Sequence, residues 1–339
     1  MTRVAVPPLT HLRHLTDAGG LYEHADRTTV RRAHGYCVDD VARALVVVMR
    51  EREHTPADAD LREQYLSFLL LAQAEDGRFR NRRNVDLSWT DRPTVEDCWG
   101  RALWGLGTVV AACSDDRLRV AALSGFERGA AWTSPWSRAA AFAALGAAEV
   151  LRVEPRHEAA ERLLRSAVAT IGRPGSSEAW PWPEARLTYA NPVLAEALLA
   201  AGAALNEPQV VADGLTLLRW LLAVQTRSGH LSVVPASGRG QGDADEARFD
   251  QQPIEVASLA DACGRAYDLT GGADWLAAVE LCAAWFFGGN DSATVMYDPV
   301  SGGGCDGLER SGRNENQGAE STLALLSTLQ QARRLAGAP

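Results

Sequence analysis

The chain has 339 residues, is 46% hydrophobic and carries a formal net charge of −9. This composition fits a packed globular unit rather than a disordered chain, and the negative balance excludes a broad nucleic-acid surface or attraction to anionic lipid. All 34 basic residues are arginine, which excludes Schiff-base chemistry, lysine-anchored pyridoxal phosphate and a P-loop lysine.

The N-terminal stretch MTRVAVPPLTHLRHL has no long apolar core with a small-residue cleavage site, so no signal peptide is expected there. A weak helix is expected near residues 10–17. Long Ala/Leu-rich segments follow, with apolar positions recurring at three and four: VDDVARALVVVMRER, LREQYLSFLLLAQ, CWGRALWGLGTVVAAC, a weaker one near 116–131, and SRAAAFAALGAAEVLRV. The pattern continues through HEAAERLLRSAVATI, NPVLAEALLAAGAAL, QVVADGLTLLRWLLAVQ, PIEVASLADACGRAYDL, DWLAAVELCAAWFF and GAESTLALLSTLQQARRL, making about twelve helices. Strand signals are sparse; HLSVVPAS and TVMYD read as short ribbons. No apolar run spans a membrane. Cys37, Cys98, Cys113, Cys263, Cys282 and Cys305 are scattered, which predicts free thiols and a reducing cytoplasm.

Two units repeat. FLLLAQAEDGRFRN (68–81) and WLLAVQTRSGHLSV (220–233) each end a helix in Gln and turn through Gly. Asp39-Asp40 leads into Arg43-Ala44-Leu45, and Glu96-Asp97 leads into Arg101-Ala102-Leu103. Helix openings near 39, 97, 136, 191, 254 and 317 are spaced for one helical hairpin plus a loop. Six hairpins predict an all-α (α/α)6 toroid occupying 1–339 as one domain, with inner-helix N-termini lining its mouth; an open superhelix of helix pairs is the alternative.

Acidic clusters fall at those openings: Asp39 with Asp40, Glu96 with Asp97, Glu184, Asp250 with Glu255, and Glu315 with Glu320. Some have plain structural readings. Thr94 and Asp97 suit a capping box, Pro253 and Glu255 suit a first helical turn, and Asn316 suits a cap. Asp40–Arg43 and Asp97–Arg101 have the spacing of surface ion pairs. The loops around them are rich in groups that bind sugars. His34, Tyr36, Trp99, Trp180, Trp182 and Tyr189 offer ring faces or polar tips, and Asn191, Gln251, Gln252, Asn314, Glu315 and Gln317 offer bonds to hydroxyls. Trp180 and Trp182 flank a proline, so both cannot be ordinary helix-core residues; a lid packed on its own core is the structural alternative. Convergence of His34, Cys37, Cys98 and Cys305 would offer zinc ligands, although no CxxC pair exists.

The phrases HGYCVDDVARAL, EDGRFRN, EDCWGRALWGLG, WPWPEARLTYAN, FDQQPIE and YDPVSGGGCDG with NENQGAESTLA together resemble a bacterial helical family. Its members are often described as glycosyltransferases, or occur beside or fused to sugar-transfer and sugar-cleavage enzymes. The resemblance covers nearly the whole chain. It implies a six-hairpin glycosidase-like fold and a carbohydrate context, and carries site positions onto Asp39, Asp40, Glu96, Asp97, Glu184, Asp250, Glu255, Glu315 and Glu320. No dinucleotide-type GxGxxG stands in a strand–helix setting.

The resulting expectation is a cytoplasmic glycoside hydrolase that needs no cofactor or metal and acts on an oligosaccharide or glycoside. Glu255 or Glu184 would be the acid and Asp40 or Glu320 the base, since glycosidic cleavage needs one protonated and one ionised carboxyl. The alternatives are a non-catalytic carbohydrate-binding or accessory domain, a zinc-dependent enzyme, or an epimerase using His34 or His230. Nothing in the sequence fixes the oligomeric state.

Overall fold

A computed structural model describes residues 9–51, 56–244 and 246–337. Most of the segment read for a signal peptide, residues 1–8, lies outside these. The described residues form twelve α-helices: α1 Thr10–His14, α2 Val38–Met49, α3 Pro56–Ala72, α4 Asp97–Ala112, α5 Asp116–Gly129, α6 Ser137–Val153, α7 Glu158–Ile171, α8 Pro192–Ala204, α9 Pro208–Val224, α10 Pro253–Thr270, α11 Ala273–Phe286 and α12 Ala319–Ala336.

Helix composition decides which ring each helix joins. In α8 every residue from Pro192 to Gly202 is buried, as expected of a helix enclosed on all sides. In α7 burial is confined to Ala160, Leu163, Leu164, Ala167 and Ile171, one stripe that packs inward. The even-numbered helices α2, α4, α6, α8, α10 and α12 each pack on the next, and α12 packs back on α2, closing the inner ring. The outer helices α3, α5, α7, α9 and α11 pack outside it, and the short α1 leans on α12. This is an (α/α)6 toroid; the closure of α12 on α2 rules out the open superhelix.

Small residues let α4 and α6 approach backbone to backbone. A Cβ on Gly107 would stand 2.2 Å from the Gly146 carbonyl oxygen, and one on Gly146 would stand 2.1 Å from that of Leu103. Starts and stops follow local chemistry. Pro192, Pro208 and Pro253 occupy first-turn positions where no N–H is needed. Gly271 ends α10 in the left-handed conformation at φ 65° and returns its N–H to the Tyr267 carbonyl.

Among the described residues, strands are limited to six two-stranded antiparallel ribbons in the loops. Tyr36–Cys37 pairs with Arg82–Arg83, and Gly307–Glu309 with Gly312–Asn314, both beside the mouth of the ring. His230–Leu231 pairs with Thr226–Arg227 as expected, whereas the TVMYD stretch makes only isolated bridges. Among the described residues no helix is long and apolar enough to cross a membrane.

Candidate active site

The N-terminal ends of the inner helices and their preceding loops surround a cavity of about 890 Å³. All six hairpins contribute: Asp39, Asp40 and Arg43 from α2; Glu96, Asp97 and Arg101 at α4; Trp136 and Arg138 at α6; Glu184 and Tyr189 before α8; Asp250 and Gln252 before α10; Asn314 and Glu320 at α12. Glu23, His24, Asn81, Arg82 and Asp306 complete the wall. Ten carboxylates line the space against four guanidiniums, so the local field is strongly negative, moderated by the positive ends of the helix dipoles.

The floor is built on three arginines within the first two turns of α2, α4 and α6, each at most 8% exposed. Arg43 bridges two carboxylates. Its Nη1 donates to Glu320 Oε2 at 2.5 Å, and its Nη2 donates to Asp40 Oδ1. Arg138 is fully engaged, donating to Glu184 Oε1 at 2.7 Å, the Tyr189 carbonyl at 2.6 Å and Asn191 Oδ1 at 3.0 Å. Arg101 stacks on Phe142, its guanidinium carbon 3.9 Å from the ring centre, and faces Asp39 Oδ1 across 3.4 Å.

This corrects two readings of spacing. The Asp40–Arg43 pair exists, but buried at the floor rather than on a helix surface. Arg101 pairs with Asp39 on the neighbouring helix and not with Asp97, whose carboxylate instead accepts the Tyr189 hydroxyl at 2.5 Å. Asp97 is therefore no capping-box partner. The N-cap of α4 is Glu96, and Thr94 Oγ1 accepts the Glu96 N–H and also meets Cys98 Sγ at 3.7 Å. Asn316 is likewise not the cap of α12, which is Gly318; its Oδ1 accepts the Arg27 N–H.

The shared guanidinium leaves its two carboxylates in different states. Burial pushes the Asp40 carboxyl up to about 7, because the pull of Arg43 is opposed by Glu320 and Glu23 nearby. At Glu320 burial also works against ionisation, but Arg43 and Arg101 outweigh it and hold the group below the usual glutamate range. Asp250 is raised by burial, then by Glu309 and Asp306.

Ten of the expected site residues line the cavity: Asp39, Asp40, Glu96, Asp97, Glu184, Tyr189, Asp250, Gln252, Asn314 and Glu320. The others lie elsewhere. Glu255 is 2% exposed and ties α10 to α8, accepting the Asn191 side-chain amide at 3.1 Å and its backbone N–H at 3.3 Å. Asn191 is spent on that contact and on Arg138. Trp99 is wholly buried, its indole N–H on the Gly129 carbonyl. Trp182 is buried against Trp220 of α9 and Trp180 meets the same ring edge-on, so WPW is a lid packed on its own core; both indole N–H groups grip Glu184. Tyr36 is buried with its hydroxyl on Asp17. Gln251 donates to Asp291 and the Arg248 carbonyl, and Gln317 bonds Ser301 and Asp298. Glu315 is exposed beside Arg313, and His34 is exposed with its ring on His24.

The ring faces that do line the cavity are Tyr189, 45% exposed, and Trp136, 58% exposed. Trp136 was not among the expected residues, nor were Arg43, Arg101 and Arg138. A signal was present: each of these arginines is followed by alanine and falls within about one turn of an expected helix opening.

The zinc set that the alternative reading requires does not assemble. Cys37 and Cys98 line the cavity, but Cys305 is buried away from it and His34 points elsewhere. All six cysteines are free and buried; burial raises the Cys98 thiol to about 12, with Asp39 adding to it. Among the described residues, Glu23, Cys37 and Asp40 could bring metal-ligating atoms together. However, Arg82 pairs with Glu23 and Arg43 with Asp40, so guanidiniums already supply the positive charge at that point.

No protein-family model matches the chain, and no curated protein matches it. Solved structures share its fold. A sugar epimerase from a ruminal bacterium superposes with a TM-score of 0.74 at 11% identity, over 99% of this chain and 98% of that one. A cellobiose 2-epimerase from Spirochaeta thermophila gives 0.70 at 13% identity over 97% and 94%. A family 76 α-mannanase from Bacteroides thetaiotaomicron gives 0.65 at 12% identity, again over 97% and 94%. These likenesses establish the six-hairpin toroid.

Proposed function

We propose that this chain is a carbohydrate-active enzyme, and specifically a glycoside hydrolase working in the cavity at the inner-helix N-termini. One observation carries the reading: Asp40 and Glu320 share Arg43 at the cavity floor, and burial raises the first to about 7, so that it carries a proton in part of the molecules near neutral pH, while arginines hold the second below the usual glutamate range. Glycosidic cleavage needs that combination. Protonated Asp40 gives its proton to the leaving glycosidic oxygen. Ionised Glu320 takes a proton from a water molecule as that water's oxygen bonds to the anomeric carbon, so a new C–O bond replaces the one broken. Trp136 and Tyr189 offer faces for the apolar side of a sugar ring. The same-fold neighbours act on sugars by name, which supports a carbohydrate substrate. Those neighbours include epimerases; His34 and His230 do not line this cavity, His230 being bonded to Asp291 at 2.9 Å, and His24 is the histidine in its wall. The Asp40–Glu320 pair on Arg43 is what favours the hydrolytic reading.

The test is hydrolysis of a panel of oligosaccharides and aryl glycosides by the wild type, D40N and E320Q. Each variant should lose about 100-fold or more in kcat. Full activity of both variants on a substrate the wild type cleaves would overturn the assignment, and binding without any turnover would favour an accessory domain.

A further inference from the structure

The three floor arginines are not used alike. Arg138 spends its guanidinium on Glu184, Tyr189 and Asn191, and Arg43 spends both terminal nitrogens on Asp40 and Glu320, leaving its Nε alone without a partner. Arg101 is 4% exposed, yet its Nε and Nη1 have no hydrogen-bond partner. Its nearest acceptor, Asp39 Oδ1, also lacks a hydrogen bond and stands 3.4 Å away, outside good bonding geometry. Stacking on Phe142 fixes the guanidinium plane, so the group is held in place without its donors being satisfied. A buried donor left unmade is costly, and native proteins keep few of them.

We propose that Arg101 holds the substrate, and that the substrate it holds is a neutral sugar bound through a ring hydroxyl. This rests on the reading that the cavity takes a carbohydrate. A hydroxyl both accepts and donates, so one oxygen can take an Arg101 N–H while giving its own proton to Asp39. A uronate or phosphate would also accept from Arg101, but it would then face Asp39, and beyond it Asp40, Glu96 and Asp97, with like charge. Ten carboxylates against four guanidiniums make that outcome unfavourable. Arg101 thus sets specificity by selecting hydroxyl over carboxylate, next to the Asp40–Arg43–Glu320 group that performs the chemistry.

The experiment is calorimetric titration of the full chain and of R101M, R101K and D39N with cellobiose, mannobiose and digalacturonate, with turnover read separately. Folding of each variant is checked by circular dichroism. The wild type should bind a neutral disaccharide and not the diacid. R101M should weaken that binding by about 10- to 100-fold, as expected for a lost charged hydrogen bond, and D39N by a smaller factor. Should R101M fail to fold, R101K is scored in its place, because an ammonium keeps the charge but loses the planar fork. Unchanged affinity in R101M, or in R101K if it replaces R101M, overturns the proposal, as does a wild type that prefers the diacid. Binding that depends on Arg101 without any turnover supports this proposal while sinking the hydrolase reading. A wild type that binds no member of the panel overturns both.

Discussion

Asp40 and Glu320 meet at opposite sides of one guanidinium, that of Arg43, although one comes from the first inner helix and the other from the last. The seam where α12 closes the ring against α2 is therefore also the floor of the cavity. A toroid that failed to close would separate these two carboxylates, so fold and site stand or fall together.

The first expectation concerns pH. If Asp40 acts protonated, activity should decline as pH rises through about 7, its raised value, while Glu320 stays ionised well below that. R43M removes the charge that favours both carboxylates in their ionised forms. The acid limb of kcat/KM, set by Glu320, should then move to higher pH. A pH–rate profile in which that limb does not shift would separate Arg43 from the chemistry.

Trp136 stands 58% exposed and lines the cavity. W136A should raise KM about 3- to 10-fold with little change in kcat, the size of one lost stacking contact. Steady-state kinetics on the preferred substrate reads this directly, and equal loss in kcat would assign Trp136 a different role.

Arg138 is 7% exposed and holds Glu184, Asn191 and the Tyr189 carbonyl at once. R138M should cost about 3 kcal/mol in chemical denaturation, since it leaves buried acceptors unpaired. W220A should loosen the Trp180–Trp182 lid that grips Glu184, and so lower activity more than stability.

Glu255 gives a stability expectation independent of catalysis. Burial raises its carboxyl from 4.5 to about 7, opposed by its hydrogen bonds from Asn191 and by Arg138. The native state then binds more protons than the unfolded state between those values, so stability falls as pH rises from about 4.5 to about 7. E255Q removes that contribution and should flatten the decline by up to about 3 kcal/mol. Urea midpoints across pH 5 to 8 (a range of ~3 units) test it; an unchanged slope would refute it.

At the α4–α6 contact, G146A would place a methyl 2.1 Å from the Leu103 carbonyl oxygen, and the helices would have to part. The expected loss is about 1–3 kcal/mol, measured by thermal unfolding. A neutral effect would mean the helices can slide without cost.

Helix periodicity and opening residues carried much of the architecture. The expected openings near 39, 97, 136, 191, 254 and 317 correspond to helices starting at Val38, Asp97, Ser137, Pro192, Pro253 and Ala319. Those signals are local: an apolar stripe, a proline at the first turn, a glycine just past the end. The acids at the mouth were legible for the same reason, because a residue at an inner-helix N-terminus is carried to one end of the ring wherever it sits in the chain.

What each of those residues does was not local. Asp40 and Glu255 are both acids in the first turn of an inner helix, and both are buried and raised to about 7, yet one lines the cavity and the other ties α8 to α10. Trp180 and Trp182 looked like a sugar platform from their prolines, but Trp220, far along the chain, gives them a core to pack on. Trp136, just before α6, carries no mark of its role in the local sequence, yet it lines the cavity more than half exposed.

By itself, then, the sequence determined a helical chain of six hairpins with acids at the inner openings, because helix start, helix face and helix end are encoded within a few residues. Tertiary structure decided which side chains face the cavity, which arginine each acid meets and which guanidinium keeps donors without a hydrogen bond. Those outcomes depend on contacts across the ring between residues far apart in sequence, such as Arg43 with Glu320 and Arg101 with Asp39, and side-chain spacing along one helix carries no information about them.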